Sequence, residues 1–455
     1  MQTRTPIARY PGHHSNIFCI AFTKGADIMY SCANDGLLLK HDVSRGISDY
    51  KHHRTLSSSS ASEVSSLKSP AAKRQRRNNS EVFKGPDPLE SIDGHDGGAV
   101  LKLSMHPETE DVVLTCGQDG SVALWDFRAS QHAQGRIETV FSQNCVTFNP
   151  AMTNLFLNAD DFGNIILRDI RTAFTSTSAV QGNGYPYLLK FHTTLSKPNR
   201  PYTSNPIDTT SVAFTPCGTL FAATFQKWRP TLYTLRDSFP LAMFKSRQDG
   251  IKFHGRGRDA IVRGAGGDVL DGCSSSCTIK TGAFGDALAA GYPMSRSGVD
   301  RSSGFVFGMG SDDRRAYVWD VPREAWLMDR RRSVDAFADA TMEVGGGTGR
   351  DVAFVSKEGV KKIPFLVEEE LFSMAGHRSV VNSVAFHPRM PLIATAGVEK
   401  VVRLFSPYAW SDYDEEKDNK TDSVHRNGIM AGFMFPHVGR MVPTTTEDKE
   451  LSIGI

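Results

Sequence analysis

Histidine and aspartate side chains recur at similar spacing in this sequence of 455 residues. His95 precedes Asp119 and His13 precedes Asp35, each time across two runs of apolar residues. A histidine beside an aspartate can activate a nucleophile, as in a catalytic triad. The same pair can instead belong to a buried hydrogen-bonded network that holds a turn in place. No oxyanion donor and no pair of carboxylates with a defined spacing accompanies these residues, so the sequence predicts a structural network and no enzyme.

The histidines belong to a longer pattern that occurs three times. Each copy begins at a Gly-His pair and continues through two alternating apolar runs, an acidic turn and a third run. Alternation with a period of two, broken by turn residues, is typical of short antiparallel strands. The predicted network residues are His13, Ser31 and Asp35 in the first copy, His95, Thr115, Asp119 and Trp125 in the second, and His377 and Thr395, joined by Glu399, in the third.

Weaker copies fill the middle of the chain, over 146–171, 210–235 and a split copy that ends at Phe284 and Val321. Trp125 and its counterpart Arg168 are 43 residues apart, and a four-stranded propeller blade repeats every 40 to 45 residues or so. The sequence therefore predicts an all-β fold, a WD-repeat β-propeller with six countable blades and long disordered insertions. A seventh blade stays open. Residues 5–10 could close the last blade, or the segment 350–371 could add irregular strands.

The segments without alternation set the predicted domain limits. The propeller should cover residues 1–410, with insertions at about 49–93, 246–273, 285–303 and 323–370, and a disordered tail should cover 411–455. The first insertion contains a basic run formed by Lys73, Arg74, Arg76 and Arg77. Such a run can be a nuclear-import address, a small nucleic-acid contact or only a solvated charged stretch, and the sequence leaves these alternatives open.

Composition excludes several functional classes. There are 52 Lys and Arg against 50 Asp and Glu, giving a net charge of +2, so we expect no overall electrostatic attraction to nucleic acid. We expect no membrane span, because no apolar run reaches about 18 residues. Seven irregularly spaced cysteines predict no disulfide framework and favour a reducing cytosolic or nuclear compartment. The glycine-rich stretches and the Cys273 and Cys277 pair lack the partners of a phosphate or zinc site, so no cofactor and no metal are expected.

The repeats resemble WD-repeat propellers, and several segments resemble the cullin-four-associated factors. The resemblance is carried by HHSNIFCIAF from His13, SCTIKTGAF ending at Phe284, GSDDRRAYVWDVP ending at Pro322, GHRSVVNSVAFHP from Gly376 and AGVEKVVRLFSPY ending at Tyr408. Members of that family are substrate receptors that bind the propeller adaptor of a cullin-four RING ubiquitin ligase. The resemblance implies an interaction module in the nucleus, the cytoplasm or both, which recruits target proteins for ubiquitination. The targets themselves stay unknown.

The family contacts its adaptor through a Trp-Asp-any-Arg motif at the end of a third strand. The resemblance assigns this adaptor-binding role to Trp125, Asp126 and Arg128 and, in a second copy where Arg168 replaces Trp, to Asp169 and Arg171. An arginine suits such a contact because its planar fork of donors can engage two acceptors at once. The alternative prediction is a generic WD-repeat scaffold of another nuclear complex, in chromatin or in RNA processing.

Overall fold

The computed structural model describes residues 8–51, 83–129, 132–175, 184–196, 207–246, 273–287, 301–334, 353–399, 401–406 and 442–443. In chain order, the first strands are β1 (Ala8–Arg9), β2 (Ile17–Phe22), β3 (Ile28–Ala33), β4 (Leu37–Asp42), β5 (Phe83–Lys84), β6 (Glu90–Asp93), β7 (Val100–Met105), β8 (Val112–Gly117), β9 (Ser121–Asp126), β10 (Gly135–Glu138), β11 (Gln143–Phe148), β12 (Leu155–Asp160), β13 (Ile165–Asp169) and β14 (Leu189–Phe191). The later strands are β15 (Leu195–Ser196), β16 (Thr209–Phe214), β17 (Leu220–Phe225), β18 (Thr231–Thr234), β19 (Asp237–Phe244), β20 (Gly282–Asp286), β21 (Ser302–Gly310), β22 (Ala316–Pro322), β23 (Arg332–Val334), β24 (Ala353–Val355), β25 (Lys361–Ile363), β26 (Phe365–Val367), β27 (Phe372–Met374), β28 (Val381–Phe386), β29 (Ile393–Gly397), β30 (Val402–Phe405) and β31 (Val442–Pro443). Helices span Ile170–Ala173 and Glu324–Arg330, and residues 43–51 are helical as well.

Six antiparallel sheets follow one another as the blades of a propeller, which confirms the predicted fold class. In chain order, blades 1 to 6 are β2-β3-β4-β6, β7-β8-β9-β10, β11-β12-β13-β14, β16-β17-β18-β19, β20-β21-β22-β27 and β28-β29-β30. The first strands of successive blades pack on one another from β2 to β7 and onward to β28, so they form the innermost layer. Blade 6 has three strands in the described part of the chain, whereas each of the others has a fourth, outer strand.

The hydrophobic core lies between the blades. Each pair of successive sheets shares a cluster of buried side chains, because both faces of a strand pair carry apolar residues. Between blades 1 and 2, for example, Tyr30 and Cys32 meet Leu103 and Val113. Tight turns hold the sheets in register. Gly120 has a φ of 81° in the turn between β8 and β9, and a Cβ there would lie 2.3 Å from the carbonyl oxygen of Thr139, so only glycine fits.

Parts of the predicted insertions are ordered. The outer strand of blade 1 is β6, so the insertion expected at about 49–93 ends before Glu90. Within the segment expected at 323–370, β23, β24 and β25 join β15 in an extra sheet. That sheet packs on the outside of blade 4 through Phe354, Leu195 and Met243. The predicted irregular strands therefore exist, but they do not form a seventh blade of the ring.

Closure of blade 6 by residues 5–10 was one of the alternatives left open, and the residues that the structure describes there do not pair with blade 6. Ala8 and Arg9 pair in parallel with Phe83 and Lys84, beside blade 1, because Tyr10 next to them packs its ring on His41. In the predicted tail, Val442 and Pro443 pair with β27 at the outer edge of blade 5. The rest of the tail lies outside the described residues.

Candidate protein-docking site

Blade 2 contains the complete predicted network. Trp125 Nε1 donates to Thr115 Oγ1 over 2.8 Å, and Thr115 Oγ1 lies 2.8 Å from His95 Nε2. The other ring nitrogen, His95 Nδ1, lies 3.0 Å from Asp119 Oδ1. Because the tryptophan can only donate and the carboxylate can only accept, Thr115 donates to Nε2 and His95 donates from Nδ1. The chain of donors links the third strand of the blade to its β8–β9 turn.

Blades 1 and 6 have shorter versions of this network. His13 Nε2 lies 2.8 Å from Ser31 Oγ, and His13 Nδ1 lies 3.1 Å from Asp35. In blade 6, His377 is 2.6 Å from Thr395 Oγ1 and 2.7 Å from Glu399. Each of these two histidines lies between a hydroxyl and a carboxylate. The geometry is that of satisfied polar groups that fix turns.

Blade 3 has a network that the sequence reasoning missed. Arg168 is 4% exposed, and its Nε donates to Asn158 Oδ1 over 3.0 Å. Its Nη1 donates to the carbonyl oxygens of Tyr185 and Pro186, at 2.9 and 2.7 Å. Asn158 in turn donates to Gln143 Oε1 over 2.8 Å. Amide groups thus replace the hydroxyl and imidazole of blade 2, and burial lowers the pKa of Arg168 to about 10.

The two predicted docking arginines have the same local geometry in adjacent blades. Arg128 donates to Asp126 through Nε at 2.9 Å and Nη2 at 2.7 Å, and its backbone N–H binds the same carboxylate at 3.0 Å. Arg171 repeats all three contacts with Asp169, at 2.9, 2.5 and 3.0 Å. The side chains are 58% exposed at Arg128 and 69% exposed at Arg171. We call these two arginines with their aspartates the arginine rim.

The residue between Asp and Arg anchors each turn on the preceding blade. The Phe127 ring lies 5.1 Å from the ring of Tyr30 in blade 1, and Lys40 Nζ lies 5.2 Å from the Phe127 centroid. Ile170 packs in the cluster between blades 2 and 3. Each arginine is therefore held by a carboxylate on one side and by a residue packed between blades on the other. An apolar residue at this third motif position is the signal that could have identified the anchor.

Electrostatics keep the rim ionised. Hydrogen bonds from Arg128 hold the pKa of Asp126 below its usual value, and those from Arg171 do the same for Asp169. Asp111 adds a favourable charge near Arg128 and accepts a contact from Lys40 at 3.3 Å. The arrangement can bind acceptor groups of a partner protein.

The remaining predicted sites are distributed as follows. Lys73, Arg74, Arg76 and Arg77 lie outside the described residues. All seven cysteines are free thiols. Among the described residues, no three His, Cys, Asp or Glu side chains are placed to hold a metal ion. No helix in the described ranges has the length and apolar character that crossing a membrane requires.

Comparison with known proteins agrees with the blade assignment. The family model named WD domain, G-beta repeat matches residues 4–42, 86–126 and 368–406, which include the inner strands of blades 1, 2 and 6. Mouse (Mus musculus) DDB1- and CUL4-associated factor 5 is 25% identical over 425 residues, which is 92% of this chain and 30% of that protein. The human (Homo sapiens) protein of the same name is 25% identical over 92% of this chain and 31% of its own length.

This chain thus spans less than a third of the length of the curated relatives that it matches. With six successive blades, three matched repeats and a similarity that extends over 92% of the sequence, the chain is a WD-repeat β-propeller protein that resembles DDB1- and CUL4-associated factor 5.

Proposed function

We propose that this WD-repeat scaffold is a substrate receptor of a cullin-four RING ubiquitin ligase, and that the arginine rim docks the propeller adaptor of that ligase. The observation that carries the proposal is the repeated Asp-any-Arg geometry of Arg128 and Arg171 on adjacent blades. The relatives are named for association with DDB1 and CUL4, and the proposal extends that association to this chain.

The geometry suits docking for a physical reason. Each guanidinium has five N–H donors and uses those on Nε and Nη2 to bind its own aspartate. The aspartate fixes the direction of the fork before a partner arrives, so less side-chain entropy is lost on binding. The donors that remain can bind a carboxylate or backbone carbonyl oxygens of the adaptor. Two such anchors on neighbouring blades define an orientation as well as an affinity.

In this function the chain performs no chemical step of ubiquitin transfer. It holds a target protein on the loops of the propeller while the rim binds the ligase, so the target lysine and the activated ubiquitin are brought together. Proximity of this kind accelerates a reaction without a catalytic residue in the receptor. The basic run from Lys73 to Arg77 would act as an address to the nucleus, where the ligase and its targets could meet.

The test is the double variant Arg128→Glu with Arg171→Glu, assayed for co-purification with the adaptor. Both side chains are exposed, so we expect loss of binding with an unchanged thermal melt. A matched control changes the same total charge at the opposite ends of the strands. Lys227→Glu with Arg378→Glu serves this purpose, since Lys227 lies between β17 and β18 and Arg378 lies just before β28, both exposed.

Retained adaptor binding by the rim variant would contradict the docking proposal and leave only the WD-repeat scaffold. Loss of binding by the control as well would show a nonspecific charge effect. An unbiased list of proteins that co-purify with the intact chain would then identify the other nuclear assembly.

A further inference from the structure

The innermost strands of five blades share one irregularity, which makes their residues comparable. The register of the first two strands shifts between Ile17 and Cys19, and equivalent shifts occur after Val100, Gln143, Thr209 and Val381. The residue three positions after the first residue of each shift therefore occupies an equivalent place in these five blades. These equivalent residues are Ile20, Leu103, Val146, Val212 and Val384. The last four pack against the preceding blade.

Burial at these positions separates blade 1 from the others. Leu103, Val146, Val212 and Val384 are 3, 0, 4 and 5% exposed. Ile20 is 49% exposed, and its neighbours on β2 include Phe22 at 53% and Ile17 at 48%. Large apolar side chains are rarely left in a contiguous exposed patch. The inner half of blade 1 is therefore an apolar face that no blade among the described residues covers.

The outer half of the same face is covered by the chain itself. Tyr10 packs on His41 with ring centroids 5.5 Å apart, and Leu39 lies beneath Gly12 and is 1% exposed. Only the part nearest the centre of the ring remains open. We call this part, formed by Ile17, Phe18, Ile20 and Phe22, the open face of blade 1.

Blade 6 has a matching uncovered face. In the interface between blades 1 and 2, blade 1 offers the small residues Cys19 and Ala21 to the bulky Leu103 of blade 2. Ala385 occupies the position of Ala21 in blade 6 and is exposed. Next to it, Ala394, Ala396, Val402 and Leu404 are partly exposed on the same side of the sheet. In the described structure, each of the other innermost strands packs closely on its successor, whereas β28 and β2 make at most sparse contact.

We propose that the open face of blade 1 is an interface with a second copy of this chain, and that blade 6 of one protomer packs on blade 1 of its partner. The contact is reciprocal, so a two-fold dimer covers both uncovered faces of both protomers. Blade 6 of a second copy is the occupant because its small residues complement Ile20 and Phe22, which the chain's own blade 6 leaves exposed. The inference is independent of the docking function of the arginine rim.

The test uses two single variants of the full chain and their mixture, with the mass in solution measured by light scattering. The wild type should have twice the mass of one chain. Ile20→Asp buries a carboxylate in an apolar contact, and Ala385→Lys does the same with an ammonium, so each variant alone should be monomeric. Mixing the two should restore a dimer, because one interface is then native and the other pairs Asp with Lys.

A matched control and a second variant make the result decisive. Val140→Asp introduces the same charge at a residue that is 94% exposed outside the interface, and it should stay dimeric. Phe22→Asp replaces Ile20→Asp if the latter does not fold, as judged by circular dichroism. The proposal would be overturned by a monomeric wild type, by dimeric single variants, by a mixture that stays monomeric or by a monomeric Val140→Asp.

Discussion

Arg168 and Asn158 are joined by a 3.0 Å hydrogen bond at the place where Trp125 meets Thr115 in the preceding blade. In both pairs, a residue of the third strand binds a residue of the second strand that lies two positions from its direct register partner. The guanidinium of Arg168 replaces the indole of Trp125 and keeps the hydrogen bond between the two strands. Both groups provide an N–H donor on a large planar side chain. The degenerate motif copy therefore keeps its strand geometry and presents Arg171 as blade 2 presents Arg128.

Replacement of Arg168 should destabilise the propeller. In Arg168→Ala the carbonyl oxygens of Tyr185 and Pro186 and the Asn158 side chain lose their donor, and a cavity forms. We expect the free energy of unfolding to fall by about 2 to 4 kcal/mol, measured by urea titration. Arg171→Ala in the same blade is the control and should change stability little. Equal stability of the two variants would contradict the role given to Arg168.

The network of blade 2 should contribute to stability against acid. Burial opposes the ionisation of Asp119, but hydrogen bonds from His95 and Ser121 outweigh it and lower its pKa to about 2. A carboxyl whose pKa is depressed by folding stabilises the fold above its unfolded pKa, and that contribution is lost as the pH falls toward the folded value. The loss should therefore occur between about pH 4 and pH 2.

Asp119→Asn tests this dependence. The variant should lose about 1 to 3 kcal/mol of unfolding free energy at pH 7, and its stability should change less than that of the wild type between pH 4 and pH 2. Thermal melts over that range measure both effects. If the two proteins lose stability in parallel on acidification, Asp119 is not the group responsible.

A buried ion pair should hold the segment that enters blade 5. Lys280 Nζ lies 2.6 Å from Asp312 Oδ1, with side-chain exposures of 0 and 1%, and Asp312 Oδ2 accepts the backbone N–H of Cys277 at 3.1 Å. Asp312→Ala should cost about 3 to 5 kcal/mol, because it leaves a buried ammonium without its counter-charge. Combining it with Lys280→Met should recover part of that cost. A double variant as unstable as the sum of both single variants would show that the pair is not coupled.

The fork of each rim arginine should matter beyond its charge. Arg128→Lys with Arg171→Lys keeps both charges but loses bidentate donation. If the rim docks the adaptor, we expect the dissociation constant to rise about tenfold or more, since a hydrogen bond to a charged group contributes about 1.5 to 3 kcal/mol. Titration calorimetry against purified adaptor measures it, with Arg378→Lys as the control. Unchanged affinity would mean that charge alone suffices.

Local patterns were enough to predict the blades, since alternation and turn residues act over a few positions. Gly12, Gly94 and Gly376 each open a predicted repeat, and an innermost strand follows each of them. The hydroxyl, imidazole and carboxylate partners in blades 1, 2 and 6 also follow from spacing alone. The Gln143–Asn158–Arg168 network was missed because its residue types differ from those of the other blades, although its positions are the same.

Residue types and spacing alone identify the repeats, the strand order within a blade and the two Asp-any-Arg turns, because these depend on contacts between near neighbours in the chain. Three features depend on distant segments and emerge only in the folded chain. These are the pairing of Ala8 with Phe83, the extra sheet outside blade 4, and the uncovered faces of blades 1 and 6. The apolar side chains of β2 look like those of any core strand in the sequence. Whether a neighbour covers them is decided by how the ring is arranged in space.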